Sequence, residues 1–330
     1  MAGGPSTPAL VIAAAESGAL GFLAGGYKMA ADLAAEIAQV RAATPGAFGV
    51  NLFVPGHPTG EPLALSAYVA LLEEEARGLG ANVGAPSWDD DGYGSKVDVL
   101  LADPPPLVSF TFGCPSPDVV KALQAAGTVV AITATTPEEA VLAEQAGADC
   151  LCLQGSEAGA HRGSFTNDPG RAPDFPLASL LAGVRDSTDL PLIAAGGLGG
   201  PDDVAAVLAA GATQVQLGTA FLRSTESGAH PLYKAALADP RFTAAATATA
   251  ITRAFSGRRA RSLVNDFVRA HEGAPAAYPE VNNATRPLRA AAQAAGDVQR
   301  MSLYAGEGFR AAEQRSAGEI IERLASGIPQ

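Results

Sequence analysis

A chain of 330 residues with 48% apolar residues can bury a large core, either as one α/β domain or as a domain carrying an insertion. Its formal charge of −12 removes nucleic acid from the expected partners, because a phosphate backbone is bound by a cationic face that displaces counterions. No apolar run reaches the roughly 18 residues of a membrane-crossing helix, and MAGGPSTP lacks the basic start of a signal peptide, so a cytoplasmic protein with no membrane partner is expected.

The first helix is predicted from Thr7, a capping residue, to Ser17, with Gly18 as its stop. A strand over 19–24 follows, then a helix from Met29 to Ala43 with Leu33, Ile37 and Val40 on one face, then the strand FGVNLF over 48–53. Residues 54–105 are less regular, with a helix from Ser66 to Leu79 and the acidic loop WDDDGYGS. Its aspartates Asp89 to Asp91 could ligate a metal or simply be solvated. The alternation then resumes with a strand over 107–113, a helix over 115–126, a strand over 128–134, a helix over 136–146 and a strand over 148–154. Cys150 and Cys152 share one face of that last strand and Cys114 precedes Pro115; they are either a redox or metal pair or small buried hydrophobes.

After a glycine-rich loop come a helix from Pro176 to Ser187, a strand over 190–197, a helix opened by Pro201 and closed by Gly211, and a strand over 212–219. Seven short apolar strands with helices between them predict a TIM (β/α)8 barrel lacking its first strand, which would precede Met1, since MAGGPS reads as the loop after a strand. A doubly wound sheet is the alternative, but its first loop should carry G-x-G-x-x-G, which MAGGPS does not. From about Arg223 the rhythm stops. Helices are predicted at Pro231–Ala238, Thr249–Phe255, Arg261–Glu272 and Pro287–Ala295, along with the basic cluster GRRAR over 257–261 and a loop holding Tyr278 and Asn283. A last helix over about 311–326 has Ile320, Ile321 and Leu324 on one stripe. Residues 1–222 and 311–330 therefore read as the barrel, and 223–310 as a helical insertion lidding its C-terminal mouth.

The chemistry is expected on Leu151 to Gly163, LCLQGSEAGAHRG, where an apolar strand breaks into glycines holding Glu157, His161 and Arg162. His161 is the candidate base, because an imidazole kept neutral by burial can accept a proton from carbon. Asn51, Gln154 and Gln216 stand at strand ends; their amides suit the edge of a planar heterocycle, or else close strand-end backbone groups. Gly196–Gly197 and Gly218–Thr219 end the last two strands, where barrels bind phosphate through backbone N–H groups. No His/Cys cluster stands at metal-ligand spacing, so no metal is expected.

Taken together, MAGGPSTP, NLFV at 51–54, QGSEAGAHRG at 154–163, AAGGLGG at 194–200, QLGT at 216–219 and SLYAGEG at 302–308 resemble the nitronate monooxygenases, formerly 2-nitropropane dioxygenases. The resemblance implies an FMN enzyme that oxidises alkyl nitronates such as propionate 3-nitronate with O2 to a carbonyl compound and nitrite. It implies that Ala2, Gly3, Asn51, Gln154, Gly159, Gly196, Gly197, Gln216, Leu217, Gly218 and Thr219 hold FMN. It also implies that His161 is the catalytic base toward neutral nitroalkanes and that Tyr278, Tyr304 and Asn265 line the substrate side. The partners are then a small nitronate and O2, with a homodimer left open. The alternative is an FMN-dependent NAD(P)H reductase of the enoyl-acyl-carrier-protein or quinone type, which shares the barrel and the histidine loop. One departure from the family pattern is Ala160 where it reads glycine; a positive φ there would strain the loop by roughly 1 kcal/mol.

Overall fold

The computed structural model describes residues 1–168 and 174–328. The chain runs α1 (Pro8–Glu16), β1 (Gly21–Ala24), α2 (Ala30–Ala43), β2 (Phe48–Phe53), α3 (Pro62–Leu79), α4 (Tyr93–Ala102), β3 (Leu107–Thr111), α5 (Pro117–Ala125), β4 (Val129–Ala134), α6 (Pro137–Gln145), β5 (Cys150–Gln154) and β6 (Ala160–His161). It continues through α7 (Leu177–Arg185), β7 (Leu192–Ala195), α8 (Pro201–Ala209), β8 (Gln214–Gln216), α9 (Pro231–Ala236), α10 (Pro240–Thr243), β9 (Thr249–Thr252), β10 (Ala260–Leu263), α11 (Asp266–Ala270), α12 (Glu280–Ala294) and α13 (Ala317–Ala325).

Helix starts follow local chemistry. Thr7, Ser116 and Thr136 cap α1, α5 and α6 through their side-chain oxygens, and a proline in the first turn of each supplies a preset φ where no N–H partner is needed. Seven strands form one parallel sheet in the order β1-β2-β3-β4-β5-β7-β8. Within this sheet the strands lie side by side in the order of the chain, with only β6 diverted to a second sheet, so there is no switch point and the architecture is TIM-barrel-like rather than doubly wound. Among the described residues β1 and β8 do not pair with each other, so the curled sheet is open between them.

Both faces of this sheet are buried, which explains the near-continuous apolar strands. Val50, Val108, Phe110, Val130, Ile132, Leu151, Leu153 and Leu192 pack against the helices. Ala131, Cys150, Cys152, Ile193 and Ala195 form a separate cluster on the other face. The three cysteines are free thiols; the two on β5 are buried, as small hydrophobes would be.

The segment after β8 differs from its prediction. Thr249–Phe255 and the start of Arg261–Glu272, expected as helices, are instead the strands β9 and β10 of a three-stranded sheet ordered β6-β10-β9. The alanine content favoured helix, but antiparallel pairing of Ala260 with His161 and with Thr252 overrides that local preference. Helix α4 was not expected either. Gly92, at φ 62° in the left-handed region, turns the acidic loop into it, and Asp91 pairs with the buried Lys96 of α4 at 2.8 Å. The acidic loop is thus held by a lysine. Among the described residues no cluster of His, Cys, Asp or Glu could hold a metal, and no helix is long and apolar enough to cross a membrane.

Candidate active site

The C-terminal ends of the parallel strands surround a cavity of about 900 Å³. The structure brings Ala2, Gly3, Asn51, Gln154, Gly159, His161, Gly196, Gly197, Gln216, Leu217, Gly218, Thr219 and Tyr304 together on its wall. Tyr278 lines a smaller adjoining pocket, and its ring lies 5.6 Å from that of His161. Asn265 is the exception. It is fully buried away from the cavity, donating to the carbonyls of Val298 and Met301 and capping α11.

The loop after β5 is fixed from within. Gln154 donates to the carbonyl of His161 at 3.0 Å and accepts from Arg162 Nη1 at 3.0 Å and from Gly163 N–H at 2.7 Å. Its amide therefore ties the histidine loop back onto the strand, the second of its two sequence readings. Arg162 is buried, reaches the carbonyls of Gly155 and Gln154 and pairs with Asp174 at 3.3 Å. Glu157 caps α7 at the N–H of Leu177. At Gly159 a Cβ would fall 2.4 Å from the backbone N of Gly306, so only glycine lets the two loops meet. Ala160 has φ 64°, the left-handed conformation for which a glycine is suited.

His161 is paired along β6 with Ala260, and its Nε2 lies 2.8 Å from Ser256 Oγ. The serine hydroxyl also lies 3.1 Å from the carbonyl of Arg258; when it donates there, its oxygen accepts from Nε2–H and Nδ1 is the bare nitrogen of the ring. The ring is caged by Phe112, Tyr278 and Tyr304 at centroid distances of 5.9, 5.6 and 5.3 Å. Burial, then the charges of Arg258 and Arg289, lower its pKa from 6.5 to about 3, so the imidazole is neutral across the physiological range. Arg258 stacks 3.9 Å above the Phe112 ring. Tyr27, at φ 65°, shares a 3.0 Å hydrogen bond with the hydroxyl of Tyr278 and takes Asp91 as partner to its N–H.

Asn51 accepts from Ser109 at 2.7 Å and Thr111 at 2.9 Å through Oδ1, which leaves its NH2 group as a donor. Gln216 accepts from Cys152 Sγ at 3.3 Å. Gly196 and Gly197 turn out of β7 at φ 123° and 72°, conformations that glycine tolerates. The N–H groups of Gly197 and Gly218 donate to no backbone carbonyl among the described residues, so they remain free for an anion. Ser256, Arg258, Phe112, Tyr27 and Arg289 were not singled out in the sequence. They come from four separate segments with no motif spacing; only GRRAR drew attention to one of them.

Known proteins agree with this arrangement. The sequence profile of nitronate monooxygenase matches residues 1–327. A probable nitronate monooxygenase of Staphylococcus aureus strain Newman is 35% identical over 331 aligned positions, covering 99% of this chain and 92% of that protein. Among solved structures, the nitroalkane oxidase from Streptomyces ansochromogenes superposes with a TM-score of 0.95 at 49% identity, covering 99% of this chain and 93% of its own. FabK from Thermotoga maritima gives a TM-score of 0.72 at 26% identity, covering 99% and 90%. With a barrel mouth of this composition and likeness along almost its whole length, the chain belongs to the nitronate monooxygenase family of flavin-dependent oxidoreductases.

Proposed function

We propose that the protein binds FMN and oxidises alkyl nitronates of the propionate 3-nitronate type with O2, giving a carbonyl compound and nitrite. The observation that carries this reading is the neutral, caged imidazole of His161 on the wall of a cavity that suits a flavin. The fit rests on three features: free backbone N–H groups at Gly197 and Gly218, the directed amide of Asn51, and lining residues that include no Asp or Glu. Gly197, Gly218 and Thr219 would hold the phosphate, while Ala2, Gly3 and Asn51 would meet the ring system. The flavin supplies electron acceptance and O2 chemistry.

The chain's own residues perform the rest. With a neutral nitroalkane, His161 Nδ1 takes the α-proton and Ser256 fixes the ring that receives it. With a nitronate, already deprotonated, no proton transfer is needed and the same ring orients the substrate. Phe112, Tyr278 and Tyr304 exclude water around the reacting carbon.

The test is a visible spectrum of the purified protein with identification of the released flavin, followed by anaerobic addition of propionate 3-nitronate and, separately, of NADH. Flavin bands that bleach with the nitronate and not with NADH are the expected result. Bleaching by NADH alone would overturn the proposal in favour of an NAD(P)H-dependent reductase.

A further inference from the structure

The chain carries a formal charge of −12, yet no Asp or Glu lines the main cavity, whereas Arg286 and Arg289 do. Both arginines belong to α12, where Asn282, Arg286, Arg289, Ala290 and Gln293 follow helical spacing and turn one face to the cavity. Arg286 is exposed at the rim. Arg289 lies deeper, and three observations set it apart. It forms no ion pair with any described carboxylate. Its Nη2 is anchored at 2.9 Å on both the carbonyl and the side-chain oxygen of Asn282, which fixes the fork. Its Nε is buried without a hydrogen-bond partner. A guanidinium in that state is short of an acceptor. Its charge acts on Tyr304, Tyr27 and Tyr278, which places it on the side of the aromatic cage rather than beside the glycine turns of β7 and β8.

We propose that Arg289 is the specificity-determining residue of this site, pairing with a second anionic group, a carboxylate, on the far end of the nitronate substrate. The inference rests on the nitronate reading and adds to it the residue that selects dianionic over monoanionic nitronates. A guanidinium pinned by one nitrogen and open at its other donors matches a carboxylate in planar, directed fashion. A methyl group in the carboxylate's place would leave the buried charge unpaired.

The experiment compares kcat/KM for propionate 3-nitronate with that for propyl 1-nitronate, in which a methyl stands where the carboxylate was, using the flavin-loaded enzyme and its Arg289→Met and Arg289→Lys variants. The wild type is expected to prefer the dianion. In Arg289→Met the ratio of the two kcat/KM values should fall by about 100-fold, the usual consequence of removing one partner of a desolvated charge pair, and Arg289→Lys, which keeps the charge but loses the planar fork, should keep only part of the preference. An unchanged ratio in Arg289→Met overturns the inference. So does recovery of a folded Arg289→Met protein stripped of flavin, which would assign the arginine to the cofactor phosphate. If that variant does not fold, the wild type decides, and equal efficiency on both nitronates overturns the inference alone. Absence of flavin bleaching with either nitronate removes the nitronate reading itself, and the inference with it.

Discussion

The depressed pKa of His161 makes a sharp prediction about acid. An unperturbed imidazole at pH 5 sits 1.5 pH units below its midpoint and is only about 3% neutral. At the value of about 3 imposed by burial and by Arg258 and Arg289, the same ring is about 99% neutral at pH 5. Anaerobic flavin bleaching by a neutral nitroalkane, followed by stopped flow from pH 8 down to 5, should therefore show no acid limb. The partner experiment is His161→Asn, which keeps a hydrogen-bonding group of similar size toward Ser256 but removes the base. Its turnover of neutral nitroalkanes should fall by about 10²- to 10⁴-fold, the usual contribution of a positioned base, while turnover of preformed nitronates falls by about 10-fold or less. A midpoint near 6.5 in the pH profile would refute the electrostatic argument. Equal loss on both substrates in His161→Asn would refute the assignment of the base.

Ser256→Ala frees the His161 tautomer and should lower kcat for neutral nitroalkanes by about 10-fold with little change for nitronates; unchanged kcat would show that the serine does not orient the ring. Ala160→Gly relieves a left-handed alanine worth about 1–2 kcal/mol against about 0.5–1 kcal/mol of added chain entropy. Because the methyl is exposed, the variant should melt about 1–2 °C higher, and a lower Tm would contradict this. Lys96→Met removes the cation from Asp91, and as Asp91 keeps some exposure the loss should be about 2–3 kcal/mol in denaturant unfolding. Adding Asp91→Asn to Lys96→Met should recover part of it. For stability against pH, the folded pKa of His161 lies below that of the unfolded chain, so the unfolded state takes up the proton first. That contribution is full above pH 6.5 and is lost as pH falls toward 3, which acid titration of unfolding would register.

Much of the barrel was legible because its signals are local. The strand Phe48–Phe53 and the proline-led helix starts depend on patterns a few residues long. The glycine turns and His161 stand at strand ends, where the barrel itself dictates chemistry. Illegible were the features created by distance. Ser256 reaches His161 across 95 positions, and Arg289 comes from α12. The strands β9 and β10 exist because β6 offers them an edge, a fact no window of alanine-rich sequence contains. Gln154 showed the converse: its position was right, but only the hydrogen bonds revealed that it anchors the loop.

The pairing of β6 with β10 also constrains how the site comes into being. His161 leaves the ribosome well before its ladder partner Ala260, so when the last parallel strand has been synthesised the histidine still lacks the backbone that will aim it. A nascent chain ending at β8 could assemble its seven parallel strands and remain chemically blind. Closing so long a loop is slow and comes after local structure. The candidate site is therefore expected to mature last, as one cooperative event in which the loop, the serine and the aromatic cage lock together. In hydrogen exchange, the amide of Arg162, bonded to the carbonyl of Arg259, should gain protection with those of β10 and not with those of β5.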